Sequence, residues 1–212
     1  MDKIILFDID YTLFDTTKYR SLVFIKLQEL LPDVAHVPQL AEESYEEIRK
    51  TSWFAIEKFK RAFLQHVPGA NPKIIERVWQ DTTLLKESLY PEVTDVLEKL
   101  AQKHITFGIF SAGAASFQRS KLTELQHFFQ DEHIHIHTIK ENNLATVLEK
   151  YKDKQVFLVD DYLPIIEKAK KINAGVVTIW VKRGRFAAHF TPSADNPPDY
   201  TITDLSSLPD LI

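Results

Sequence analysis

The sequence predicts an α/β fold: a parallel sheet covered on both faces by helices and interrupted once by a block of helix. Two observations carry this. Strand-length apolar runs alternate with helix-period segments from about residue 90 onward, the pattern of right-handed βαβ units. Between the first apolar run and that region, residues 16–89 show helical spacing without a convincing strand.

The first strand is Lys3–Phe7, continuously apolar from Ile4 to Phe7 as a strand buried on both faces should be. Helical patterns follow at 19–31, 40–49, 53–66 and 72–87. They are separated at Leu31-Pro32-Asp33, His36-Val37-Pro38 and Val67-Pro68-Gly69, each with a helix-stopping proline. Further strands are expected at 105–110, 133–138, 155–159 and 176–181, with helices at 93–103, 117–129, 143–151 and 165–173. In the last of these, Ile165, Ile166, Ala169 and Ile172 share one face, and Asn173 and Gly175 supply the stop. The division is therefore 1–15 and 90–212 for the sheet, and 16–89 for the helical insertion. The insertion enters just after Asp8 and Asp10 and leaves near Tyr90-Pro91, a placement that suits a lid. A bundle fixed permanently on a sheet edge gives the same pattern.

Composition narrows the function classes. The net charge is −4 and the pI about 6.1, so no basic footprint invites nucleic acid. No apolar run approaches membrane-spanning length, and the four-residue apolar run at the start is too short for a signal-peptide core. The absence of cysteine excludes a thiol nucleophile, a disulfide framework and a cysteine-ligated metal. The chain reads as a cytoplasmic monomer or homodimer without nucleic-acid or membrane partners.

The most informative segment is Phe7-Asp8-Ile9-Asp10-Tyr11-Thr12. A strand that stays apolar to its last residue and then turns acidic delivers a carboxylate to the carboxyl end of the sheet, where open α/β folds bind ligands. Asp10 lies two residues further on. Two carboxylates so close repel each other unless a proton or a cation holds them, and Mg2+ is the simplest hard cation for oxygen ligands. The competing reading is a helix N-cap by Asp10 or Thr12. Other strand ends add chemistry at the same edge: Ser111-Ala112-Gly113 after the second, Lys140 after the third, Asp160-Asp161 after the fourth. Taken singly, each could be a cap, a solvated lysine or a turn. Their convergence on one edge is harder to explain that way.

In order and spacing, Asp8-Ile9-Asp10-Tyr11-Thr12, Ser111, Lys140 and Asp160-Asp161 resemble the four motifs of the haloacid dehalogenase-like (HAD) hydrolase superfamily. The resemblance spans nearly the whole chain, including the helical insertion, which is similar to the class-one cap of that superfamily. It implies a Rossmann-like core and a Mg2+-dependent phosphatase acting on a small phosphorylated metabolite. Asp8 would then be the nucleophile that forms an aspartyl-phosphate, and Asp10 the general acid and base. Ser111 and Ala112 would bind the phosphoryl group, and Lys140 would stabilise both the nucleophile and the developing charge. The metal would be held by Asp8, the carbonyl of Asp10, and Asp161 or Asp160. The dehalogenating branch lacks the second aspartate because halide leaves without a proton, so Asp10 points to phosphoryl transfer.

The fourth motif departs from the common Gly-Asp form: Asp160 stands at the glycine position, and Ile165 at a later acidic one. Asp161 matches the usual ligand, with Asp160 assisting directly or through water. Lys140 is preferred over Lys150, Lys152 and Lys154 because it directly follows a strand. A phosphomutase and a catalytically silent binding protein are the alternatives that the same motifs allow.

Three further features are weaker. His133, His135 and His137 alternate along one strand, but span about 13 Å, too far to converge on one ion. Lys182-Arg183-Gly184-Arg185 could meet an anionic substrate, but a solvated loop is the simpler reading. In the helical insertion, Arg20, Arg49 and Trp53 are candidate specificity residues, with Phe54 beside them. Packing within the insertion is the simpler reading of the aromatic pair.

Overall fold

The computed structural model describes residues 2–51, 53–185 and 187–212, with the side chain of Thr51 left aside. The first strand, β1 (Lys3–Phe7), is followed by α1 (Thr16–Leu30), α2 (Val37–Thr51), α3 (Ile56–His66), α4 (Pro72–Trp79) and α5 (Thr82–Glu87). The expected 72–87 helix is thus two. Asp81 interrupts it because its carboxylate accepts from the amides of Thr83 and Leu84, capping a new N-terminus in place of continued helix.

The chain continues through α6 (Val93–Ala101), β2 (Thr106–Ala112), α7 (Ala115–Lys121), β3 (Ile134–His137), α8 (Leu144–Lys150), β4 (Gln155–Asp160), α9 (Leu163–Ile172), β5 (Val177–Val181), β6 (Tyr200–Ile202) and α10 (Leu208–Leu211). The expected 117–129 helix is shorter than its pattern; after Lys121 the chain tightens into 3-10 turns over Thr123–Phe128. Among the described residues six strands form one parallel sheet in the order β3-β2-β1-β4-β5-β6. This is the α/β, Rossmann-like architecture.

By contact density the chain divides into two compact units. One comprises Met1–Asp15, Leu89–Ala112 and Glu124–Ile212; the other comprises Thr16–Ser88 and Gly113–Thr123.

In the sheet unit, β1 lies between β2 and β4, and Ile4, Ile5, Leu6 and Phe7 have no exposed surface. Each such side chain contributes roughly 1.5–3 kcal/mol of burial. Leu158, Ile165, Ile166, Ala169 and Trp180 belong to the core that contains Ile4 and Leu6. At Gly108 a Cβ would lie 2.8 Å from both the His133 carbonyl oxygen and a Leu6 methyl, so only glycine lets these elements approach. The short strand β6 is tied on by polar contacts. Asp199 accepts from the Lys170 ammonium (2.6 Å) and from the amide and hydroxyl of Thr178 (2.7 and 2.9 Å). These donors hold its carboxyl below the usual range in spite of partial burial.

The helical unit has an aromatic core of its own. Trp79 packs on Phe54 (4.5 Å between ring centres) and Phe59 (4.9 Å), and the Tyr19 hydroxyl donates to the Trp79 carbonyl at 2.5 Å. No helix among the described residues is long and apolar enough to cross a membrane.

Candidate active site

The order β3-β2-β1-β4 places the chain's topological reversal at β1. The chain leaves β1 for β2 on one side and returns to β4 on the other, and ligands bind beyond the carboxyl ends at such a point. Asp8 directly follows β1, and its amide donates to the Val159 carbonyl of β4 at 2.9 Å. Asp160 ends β4, Ser111 lies near the end of β2, and Lys140 begins a 3-10 turn after β3.

Asp8, Lys140 and Asp160 meet. The Lys140 ammonium donates to Asp8 Oδ1 and to Asp160 Oδ2, both at 2.6 Å, from a side chain only 6 % exposed. Asp160 spends its other oxygen on the Tyr162 amide (2.9 Å). Asp161 Oδ2, Ser111 Oγ and Thr12 Oγ1 are buried without a hydrogen-bond partner. Carboxylate oxygens of Asp8, Asp160 and Asp161 lie within 4.8 Å of one another.

The charges do not balance. Three buried carboxylates face one buried ammonium, an excess of two negative charges when all are ionised. Burial raises the Asp8 carboxyl to about 7; Lys140 opposes the rise, while Asp160 and Asp10 add to it. Burial also lifts Asp161 well above the usual range, with Asp160 and Asp8 pushing the same way. Asp160 is raised by burial against the pull of Lys140. Burial disfavours the Lys140 charge, but Asp160 and Asp8 outweigh it and hold the ammonium above its ordinary value. A divalent cation with oxygen ligands would balance the excess and satisfy Asp161 Oδ2. Asp160 is engaged at both oxygens, by Lys140 and by the Tyr162 amide, whereas Asp161 Oδ2 has no hydrogen-bond partner.

Asp10 is partly buried on the turn after β1. That turn is tight: the Ile9 carbonyl accepts from the amides of Thr12 (3.2 Å), Leu13 (3.0 Å) and Phe14 (2.9 Å). Tyr11 takes a left-handed φ of 61°, which costs a non-glycine residue about 1 kcal/mol. Ala112 follows Ser111 as the last residue of β2.

The other sequence candidates lie in the helical unit. Arg20 is paired with Glu42 (3.3 Å) and Glu46 (3.7 Å), and its guanidinium lies over Tyr45. Arg49 is exposed on α2. Trp53 is 43 % exposed, with the Lys58 ammonium 3.6 Å from its ring centre, whereas Phe54 packs into the aromatic core. The histidine row is occupied differently. His133 Nδ1 and His135 Nε2 share the Tyr151 hydroxyl at 3.0 and 2.7 Å, and burial lowers His135 to about 4.

Two supporting residues were not singled out from the sequence. Trp180 Nε1 donates to the Asp161 carbonyl at 2.9 Å, fixing the loop after β4. A tryptophan deep in an apolar strand needs a partner for its N–H, and that was the available signal. Arg183, read as part of a solvated loop, has a side chain only 12 % exposed and bonds to the turn after β1. It follows a strand at the same sheet edge as Lys140 does, and the same rule applied to β5 would have found it.

Residues 5–181 match the family model described as haloacid dehalogenase-like hydrolase. The chain belongs to this family of hydrolases. Solved HAD-like structures agree in fold. A protein described as a haloacid dehalogenase-like hydrolase, from Burkholderia xenovorans LB400, is 23% identical, with 99% of this chain and 96% of that one covered and a TM-score of 0.79. The L-2-haloacid dehalogenase of Xanthobacter autotrophicus, with chloropropionic acid covalently bound, is 16% identical over 100% of this chain and 98% of that one (TM-score 0.61). The HAD-hydrolase YfnB of Bacillus subtilis, bound to magnesium, is 17% identical over 99% and 98% (TM-score 0.59). At these identities the likeness establishes the fold. No curated protein matches the chain by sequence.

Proposed function

We propose that this HAD-like hydrolase is a Mg2+-dependent phosphomonoesterase for a small phosphorylated metabolite. The observation that carries the reading is Asp10, the second carboxylate two residues past Asp8. A halide leaves unaided, whereas an alkoxide needs a proton, and a carboxyl on the adjoining turn supplies one. The haloacid dehalogenases among the structural relatives are too distant to decide the substrate.

In the first half-reaction an Asp8 oxygen attacks phosphorus, and the bond from phosphorus to the ester oxygen breaks. The departing oxygen takes its proton from Asp10. In the second, Asp10 takes a proton from water as the water oxygen attacks the aspartyl-phosphate. The bond from phosphorus to Asp8 then breaks, releasing inorganic phosphate and restoring both carboxyls. Lys140 keeps Asp8 oriented and offsets charge on the phosphoryl oxygens, while Ser111 Oγ and the backbone at Ala112 donate to those oxygens. Asp8, Asp161 and the Asp10 carbonyl would hold Mg2+, which neutralises charge between nucleophile and phosphate when bound. The helical unit would act as a cap, with Arg20, Arg49 and Trp53 as its candidates for substrate contact.

The decisive assay measures inorganic phosphate released from alkyl and aryl phosphates beside chloride released from 2-chloropropionate. Phosphate release that needs Mg2+ and stops with EDTA is expected. Chloride release without phosphate release would sink the reading, and rearranged sugar phosphate without free phosphate would make the protein a mutase.

Thermal unfolding offers a second check. Between pH 4 and 7 folded Asp8 retains a proton that the unfolded chain has lost, so metal-free stability falls as pH rises through that window. A cation that displaces the proton should reverse this. A few millimolar Mg2+ is expected to raise the melting temperature by roughly 3–6 °C at pH 7.5 and by much less at pH 5. An equal shift at both pH values would count against Asp8 as a ligand.

A further inference from the structure

The turn that carries Asp10 is bonded from outside by the Arg183 side chain. Arg183 leaves β5 through a tight turn in which its amide donates to the Val181 carbonyl at 2.8 Å. Its Nε donates to the Tyr11 carbonyl at 3.0 Å, and its Nη2 to the Thr12 carbonyl. Nη1 pairs with Glu92 Oε1 at 2.5 Å, and the guanidinium carbon lies over the Tyr90 ring, 3.5 Å from its centre. Every edge of the fork is used and one face is covered. The next residue, Gly184, has φ 77° and runs so close beneath Tyr11 that a Cβ would lie 2.5 Å from the ring. The strained residue of the turn is thus held from two directions.

We propose that Arg183 is a positioning residue. Its guanidinium locks the Tyr11–Thr12 carbonyls and so fixes the direction in which Asp10 presents its proton. A lysine cannot replace it, because a single ammonium cannot reach two carbonyls, a carboxylate and an aromatic face in one plane. The proposal rests on Asp10 being the acid of the reading above, and this gives a test that simple loss of stability would not mimic. An alkyl phosphate needs the leaving-group proton, whereas p-nitrophenyl phosphate, whose leaving group is stable as an anion, scarcely does.

In Arg183→Lys, kcat/KM, which reads the first half-reaction and not the water attack that both substrates share, is expected to fall about 10- to 100-fold for an alkyl phosphate and less than about threefold for p-nitrophenyl phosphate. Glu92→Gln, which removes the charge that pairs with Arg183 and keeps an oxygen that can accept from it and from the Leu205 amide, should give the same split in smaller degree. Hydrogen exchange without metal or substrate provides an independent readout. The amides of Thr12, Leu13 and Phe14 should exchange at least about tenfold faster in Arg183→Lys, while those of β1 and β4 keep their protection. Equal losses of kcat/KM on both phosphates, or unchanged exchange at the turn, overturn the proposal and leave the phosphatase reading intact. If the wild type releases no phosphate, that reading fails by itself, and exchange at the turn alone decides whether Arg183 holds it.

Discussion

Asp8→Asn is expected to lower phosphate release by at least about 10,000-fold while leaving the protein folded and slightly more stable. The two effects share one cause. Burial has pushed the Asp8 carboxyl up to about 7, so above that pH its negative charge is held at a cost. Asparagine keeps the shape and an acceptor for Lys140, removes the charge, and cannot form the acyl phosphate. Without metal at pH 8, the melting temperature of the variant should equal or exceed that of the wild type by a few degrees. Retained phosphatase activity would remove Asp8 from the mechanism. A large loss of stability would mean that the carboxylate is a structural ion-pair partner first.

Lys140→Met should do the reverse and damage both properties. The substitution keeps most of the stem volume but leaves Asp8, Asp160 and Asp161 buried together without their ammonium. Removing one partner from a buried pair costs about 3–5 kcal/mol. Much of that should return at pH 5, because the carboxyls can take up protons in place of the lost cation. The folded variant then binds protons that the unfolded chain does not, so stability falls as pH rises. Urea denaturation at pH 5 and pH 8 reads the difference directly, and an equal cost at both would show that packing, not charge, dominates. Activity should fall about 100- to 1,000-fold even where the variant is folded.

The parts legible in the sequence were those written in local patterns. The apolar run ending at Asp8 and the strand before Asp160 sit within a residue of their expected limits because buried parallel strands carry an unbroken apolar code. The convergence of Asp8, Ser111, Lys140 and the Asp160-Asp161 pair on one sheet edge followed from strand order. Other features depend on what the chain meets far away. The break at Asp81 turns on a cap outweighing helix periodicity. The different surroundings of Asp160 and Asp161 depend on which oxygens Lys140 and Tyr162 claim. Arg183 looks like any surface cation until its partners across the fold, Tyr11, Thr12, Tyr90 and Glu92, are known.

The central position of β1 also bears on how the molecule is made. Lys140 and Asp8 are 132 residues apart in the chain, so their pairing is among the contacts that close late and slow folding. During synthesis β1 emerges before β4, and one of its edges cannot be covered until β4 has left the ribosome. Until then it is an apolar strand with open hydrogen-bonding groups, the kind of segment on which chains aggregate. A nascent chain that stops short of Asp160 therefore has Asp8 and Lys140 without the second carboxylate they share and a sheet with a raw edge. Arrested chains ending before and after β4 should differ sharply in solubility.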